Sequence, residues 1–208
     1  MYQYGNNKKE GVSVLKIPIG ELSEVMVGLV LKRKEAEIDQ GKTYHYRSLT
    51  MKSFNSEGWI DKNYLDTFEG SEHLSDRYLC LENDVVIKLT PPYTAVGIDK
   101  DLSGCVVPSQ FAIVRCNTKI VNPYYLSLYL NSTRVKKQIS LGATGITVPM
   151  LKTGTLRNIE VPILTAEKQH TVAEIGKLIV QERHMLYKYI SAKEKYYEAL
   201  TEALTMEE

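Results

Sequence analysis

The sequence predicts an α/β protein of the α+β kind in two parts: a mixed-sheet domain over residues 1–165 and a long coiled-coil helix over residues 166–208. Three observations carry this. Short apolar, β-branched segments separated by turn residues recur as far as Ile163. The hydrophobic period lengthens at Asn122, where helix-start chemistry begins. From Ala166 to Met206 there is no proline and only one glycine, Gly176, so nothing stops a helix.

Residues 12–17 read as a strand, and residues 22–30 as a helical turn or a second strand, before the charged connection 32–39. Residues 43–51 alternate as a strand does, and Trp59-Ile60 opens another. Leu79-Cys80-Leu81 precedes the turn Glu82-Asn83-Asp84. Residues 85–89 then form a buried-strand run, closed by Pro91-Pro92, which cannot continue a ladder. Residues 105–108 and 111–116 are rich in β-branched side chains and are expected to pair. Asn122 suits an N-cap and Pro123 the first helical position, because asparagine accepts from free amides and proline lacks the N–H that would be orphaned there. A second short helix is expected after Ser132 and before Gly142. Residues 141–154 form a Gly/Thr/Pro loop, and Ile159-Glu-Val-Pro-Ile163 a strand leading into the long helix. On that helix Val172, Ile175, Ile179, Leu186, Tyr189, Tyr196 and Leu200 keep the 3–4 spacing of a coiled-coil seam, interrupted by Glu182 and Lys193. About 40 residues at 1.5 Å each make a rod of ~60 Å, longer than the domain before it, so its stripe needs a partner.

Apolar content of 43% and charged content of 25% exclude a disordered chain and suit a soluble one. There is no 18-residue apolar run and no apolar core in the first ten residues, so a cytoplasmic protein without membrane contact is expected. Cys80, Cys105 and Cys116 lack metal-ligand spacing and are expected reduced and partly buried. The net charge of +1 is unevenly spread. From Ala166 onward six Lys/Arg face eight Asp/Glu, whereas the first 165 residues carry 20 against 17. Residues 121–165 hold Arg134, Lys136, Lys137, Lys152 and Arg157 against Glu160 alone. Such a basic stretch is compatible with nucleic-acid contact assisted by a partner.

No catalytic constellation is legible. Thr90-Pro-Pro-Tyr93 is close to the Asp/Asn-Pro-Pro-Tyr that adenine-amino methyltransferases use to accept amino protons and stack the base. Threonine lacks the required carboxylate or amide oxygen, and no glycine-rich strand-to-helix turn precedes it. Asn122-Pro-Tyr-Tyr125 is explained by its helix start. Gly142-Ala-Thr-Gly145 is too short to cradle phosphate. His45, His73, His170 and His184 have no carboxylate or cysteine at metal or triad spacing. Neither metal nor cofactor is expected.

From Ile17 to the end the chain resembles one half of the specificity subunit of type I restriction–modification systems. Gly20-Glu-Leu-Ser-Glu-Val resembles the family's opening G-E-I-x-E-I. Leu81-Glu-Asn-Asp-Val-Val-Ile resembles L-x-x-G-D-I-L-I, with Asn83 in place of glycine, and Val107-Pro-Ser-Gln-Phe-Ala-Ile-Val-Arg resembles the strand after it. Asn122-Pro-Tyr-Tyr-Leu-Ser-Leu-Tyr-Leu-Asn-Ser resembles P-x-Y-L-x-x-Y-L-x-S. Gly142 to Ile163 resembles the loop and I-P-L-P exit, and Glu167-Lys-Gln169 is one residue longer than the usual Glu-Gln. The five motifs occur in the family's order over about nine-tenths of the chain. The resemblance implies a target recognition domain and conserved helix that do no chemistry, read one half of a bipartite double-stranded DNA site, and dock methyltransferase (modification) subunits for adenine N6 methylation. Through those subunits the restriction translocase joins. Having one domain and one helix, the chain is expected to pair with itself, arms antiparallel, as a homodimer. Glu182 and Lys193 either set its register or lie on a locally wider seam.

Within such a domain, phosphate contacts fix register and base-edge contacts read sequence. The phosphate candidates are Lys32, Arg33, Lys34, Arg134, Lys136, Lys137 and Lys152. The base-reading candidates are His45, Arg47, Lys52, Ser109, Gln110, Thr144 and Thr147, with Arg47 suited to guanine and Gln110 to adenine. The domain varies most within the family, so the resemblance transfers no single contact. Two rival classes remain: a remnant of an adenine methyltransferase, and a helix-mediated interaction module that ignores DNA.

Overall fold

The computed structural model describes residues 14–36, 43–142 and 149–206. Residues 12 and 13 of the first expected strand and residues 37–39 of the charged connection lie outside them. In chain order the elements are β1 (Lys16–Pro18), α1 (Ile19–Leu22), β2 (Ser23–Val27), β3 (Tyr44–Ser48), β4 (Asp66–Gly70), β5 (Asp84–Lys88), β6 (Ala95–Gly97), β7 (Phe111–Cys116), α2 (Pro123–Asn131), α3 (Thr133–Gly142), α4 (Thr153–Arg157), β8 (Glu160–Pro162) and α5 (Ala166–Thr205).

The centre is an antiparallel sheet in the order β2-β7-β5-β6, flanked by the two-stranded ribbons β1-β8 and β3-β4. Among the described residues, parallel contacts survive only as the bridges Leu29↔Pro108 and Ser48↔Val106. All five residues of β5 are buried because both faces of the sheet are covered. Val85 and Ile87 point to one face, where Ile19, Ala112, Val114, Leu126, Leu130, Ile139 and Val161 pack. Val86 points to the other, with Phe54, Cys80, Ile98, Cys105, Phe111 and Ile113. A strand covered on both sides needs apolar residues at every step, which is why this run was legible. Cys80, Cys105 and Cys116 are free thiols, the first two buried.

Several expectations need correcting. Residues 105–108 do not pair with β7. Both edges of β7 are filled by five-residue ladders with β2 and β5, so the preceding segment is held instead by single bridges to Leu29, Ser48 and Leu79. Trp59-Ile60 opens no strand: one bridge, Phe54↔Ile60, closes a short loop. The expected loop 141–154 contains the start of α4. β4 was not anticipated, because only Phe68 and Gly70 of its five residues are buried and its exposed positions are polar.

Asn122 caps α2 as expected, accepting from the amides of Tyr124 (2.9 Å) and Tyr125 (3.2 Å). Tyr93 sits in the core, and its hydroxyl donates to the Pro149 carbonyl at 3.0 Å, so the Thr90–Tyr93 motif serves as a packed strand exit. α5 runs unbroken for 40 residues. Among the described residues no helix is long and apolar enough to cross a membrane.

Candidate nucleic-acid interface

One end of the central sheet gathers most of the expected contact residues, and strand register explains why. Lys88 at the end of β5 stands opposite Phe111 at the start of β7, and Val27 at the end of β2 stands opposite Ala112. The exits of β2 and β5 and the entry of β7 therefore share this end. The Leu29 amide donates to the Val107 carbonyl (2.7 Å) and the Ser109 amide to the Leu29 carbonyl (2.8 Å), tying the turn Leu31–Arg33 to residues 108–110. Lys32, Arg33 and Gln110 are exposed there, with Ser109 half-buried. Lys52 is exposed on a turn closed by mutual side-chain bonds of Thr50 and Ser53, and Phe54 beyond it packs on Phe111 with ring centroids 4.6 Å apart.

The helical layer adds to the same end. The Leu151 amide donates to the Leu89 carbonyl at 2.8 Å, leaving Lys152 exposed at the start of α4. Asn131 exchanges two hydrogen bonds with the Ala95 backbone (3.0 and 2.6 Å), placing the start of α3 beside β6. On α3, Arg134 and Lys137 are exposed and Lys136 is half-buried. Burial pushes the Lys136 ammonium below the usual lysine range, opposed in part by Glu57. Thr144 and Thr147 lie outside the described residues.

Three candidates stand elsewhere. Lys34 is ion-paired with Glu72. His45 is exposed on β3, its Nδ1 3.5 Å from Glu69 of β4. The Arg47 guanidinium donates to the Asp101 carbonyl at 2.5 Å, and Lys62 sits 2.6 Å from the Asp101 carboxylate, whose pKa it lowers. Arg47 is thus engaged near the opposite end of the sheet, where the Ile98 amide donates to the Asp84 carbonyl.

Sequence reasoning passed over Lys88. It lies within the apolar run 85–89, is 8% exposed, and makes no ion pair or side-chain hydrogen bond with the described residues. The signal was present: a lysine on a strand whose neighbours all face a core. Among the described residues no three His, Cys, Asp or Glu side chains gather as a metal site.

α5 carries two stripes. Gln169, Ala173 and Gly176 are buried against the domain, followed by half-buried Val180 and His184. The Gln169 side chain accepts from the Asn122 amide (2.8 Å) and donates to the carbonyls of Ile120 (3.0 Å) and Leu164 (2.9 Å). Gly176 lets the helix approach α2 closely, since a Cβ there would come within 2.1 Å of a Leu128 methyl. Further along, Trp59 stacks on His184 (centroids 4.9 Å apart), meets Tyr187 edge-on (5.9 Å), and Glu57 binds Arg183 at 3.1 Å. From Lys188 to Met206 every residue but Ser191 is exposed. The expected seam is the other stripe: Val172, Ile175, Ile179, Leu186, Tyr189, Tyr196 and Leu200 are all exposed, facing away from the domain. Lys193 lies over both flanking tyrosines, 5.8 Å from the Tyr189 centroid and 5.9 Å from that of Tyr196.

The model of the type I restriction modification DNA specificity domain family matches residues 13–200. No curated protein sequence matches. Among solved structures, the fold is similar to an HsdS subunit from Thermoanaerobacter tengcongensis, at 15% identity and TM-score 0.62, covering 94% of this chain and 49% of that one. It is similar to a chain in a structure concerned with complex assembly and conformational transition of the type I R-M system, at 16% identity and TM-score 0.64, covering 90% and 47%. It is also similar to the type I restriction-modification S subunit from M. genitalium, at 12% identity and TM-score 0.53, covering 90% and 45%. The chain thus spans about half the length of the solved structures it matches.

Proposed function

The chain belongs to the type I restriction modification DNA specificity family, and from that premise we propose that it reads one half of a bipartite DNA target without doing chemistry itself. Residues 1–165 serve as the recognition unit and residues 166–208 as the coupling arm, whose first turns also seat it on the domain. The arm pairs antiparallel with a second copy and docks methyltransferase subunits, which methylate adenine N6 and bring in the restriction translocase. The observation that supports this reading is the convergence of Lys32, Arg33, Lys52, Lys152 and the α3 cations, from separate stretches of chain, on one end of the central sheet. Scattered solvated lysines have no reason to share an end, whereas a duplex carrying a phosphate charge per ~1.7 Å does select such a surface.

The test is binding to random-sequence duplex DNA across a salt series, with and without the methyltransferase subunit. Weak binding alone and tight, strongly salt-dependent binding in the complex is expected. A complex that forms yet ignores duplex DNA at low salt would favour an interaction module. Binding of a methyl-donor cofactor by the isolated chain would favour the methyltransferase remnant.

A further inference from the structure

Lys88 is the one buried lysine among the described residues. Its position on the strand explains why. Asp84 and Arg115 pair across β5 and β7 on one sheet face, Arg115 Nη2 lying 2.9 Å from the Asp84 carboxylate. Four residues along β5, Lys88 projects to the same face, opposite Phe111, in the core that holds Phe54 and Val86. The stem is therefore packed, and its ammonium is aimed by that packing.

Among the described residues no buried side-chain nitrogen or oxygen lacks a hydrogen-bond partner, so the Lys88 ammonium, which has none, reaches solvent at the sheet end while its stem stays packed. The described residues supply it no counter-charge. Asp84 is already bound by Arg115. No side chain or backbone carbonyl among the described residues hydrogen-bonds the Lys88 ammonium, and the buried hydroxyls of Thr94 and Ser53 turn to the Ser56 (3.5 Å) and Thr50 (2.8 Å) carbonyls. Burial accordingly pushes the Lys88 ammonium below the usual lysine range, with no acidic group opposing it. Around it at this sheet end stand Lys52, Gln110 and Lys152, all exposed.

We propose that Lys88 binds a backbone phosphate of duplex DNA, an anion the fold leaves unmet, and so sets the register in which Ser109 and Gln110 meet base edges. This rests on the DNA-reading function above. A phosphate is favoured over a base edge because a partly desolvated ammonium gains most from a full negative charge. It holds the strand-end loops at a fixed height on the duplex, since its stem cannot swing.

The experiment compares the wild-type chain with K88M, each assembled with the methyltransferase subunit, on a panel of duplexes that differ in sequence. Methionine keeps the apolar stem, so K88M should melt at or above the wild-type temperature. Its affinity should fall about tenfold, evenly across the panel, and the slope of log K against log salt should shrink by about 0.9, one phosphate contact. Unchanged affinity and slope would overturn the assignment to Lys88 alone. A loss confined to particular sequences would overturn phosphate in favour of base reading, and a melt lowered by several degrees would show the ammonium to be a structural partner. Failure of the wild-type complex to bind any duplex overturns this inference together with the reading it rests on.

Discussion

Asn83 shows how a single residue carries both the fold and the resemblance. Its φ is 71°, in the left-handed region that glycine occupies freely and asparagine tolerates best among the rest. The tight turn needs this: the Asp84 amide donates back to the Leu81 carbonyl (3.0 Å), and the Leu81 amide to the Asp84 carboxylate (2.9 Å). The family pattern has glycine at this place, and the departure is conservative in backbone terms. Asn83→Gly should leave urea-denaturation stability within about 0.5 kcal/mol, and Asn83→Val should lower it by about 1–2 kcal/mol, the cost of forcing a Cβ-branched residue into that region. Equal effects of the two would show that the turn can relax. Lys88 was less legible, because a strand buried on both faces reads as apolar whatever one of its positions does.

At the scale of elements, α5 is seated by its own domain along one stripe and left bare along the other. The spacing of Val172, Ile175 and Ile179 was legible as an apolar stripe, and so was the helix itself. The inner stripe was not, because glutamine, alanine and glycine at 169, 173 and 176 carry no hydrophobic signal; their smallness and Gln169's three hydrogen bonds are what matter. The loop carrying Trp59 extends this seat from Gly176 to His184 and Tyr187, about two to three turns further. Trp59→Ala should cost about 2–3 kcal/mol, below a fully enclosed tryptophan because Tyr187 is exposed. It should also open α5 to limited proteolysis near residues 181–189. Resistance there equal to wild type would mean that the α2 contacts alone hold the helix.

For the whole molecule, the decisive feature is a rod whose apolar knobs face away from the domain. Leu186 and Leu200 are 56% and 43% exposed, so charging them touches little within the chain itself. The double variant Leu186→Asp, Leu200→Asp should therefore still fold, lose self-association, and lose with it any dependence of its melting temperature on protein concentration. Sedimentation at tens of micromolar is expected to show a two-chain species for the wild type and single chains for the variant. A wild-type chain that sediments as a monomer counts against self-pairing, as would a variant that still associates. The Lys193 ammonium lies over the rings of Tyr189 and Tyr196 of its own helix, which gives its charge a partner on the stripe proposed for pairing.

Local chemistry by itself determined the continuous helix, the asparagine cap of α2, the doubly buried β5 and the order of motifs, since each depends on period, capping or turn residues within a few positions. Tertiary structure decided the rest: that β7 pairs with β2 and β5 instead of the segment two residues before it, that one stripe of α5 is covered, and that cations distant in the chain share a sheet end. These outcomes turn on contacts such as Leu89 with Leu151 and Glu57 with Arg183. Residues so far apart compete for partners across the whole chain, and no local pattern records which of them wins.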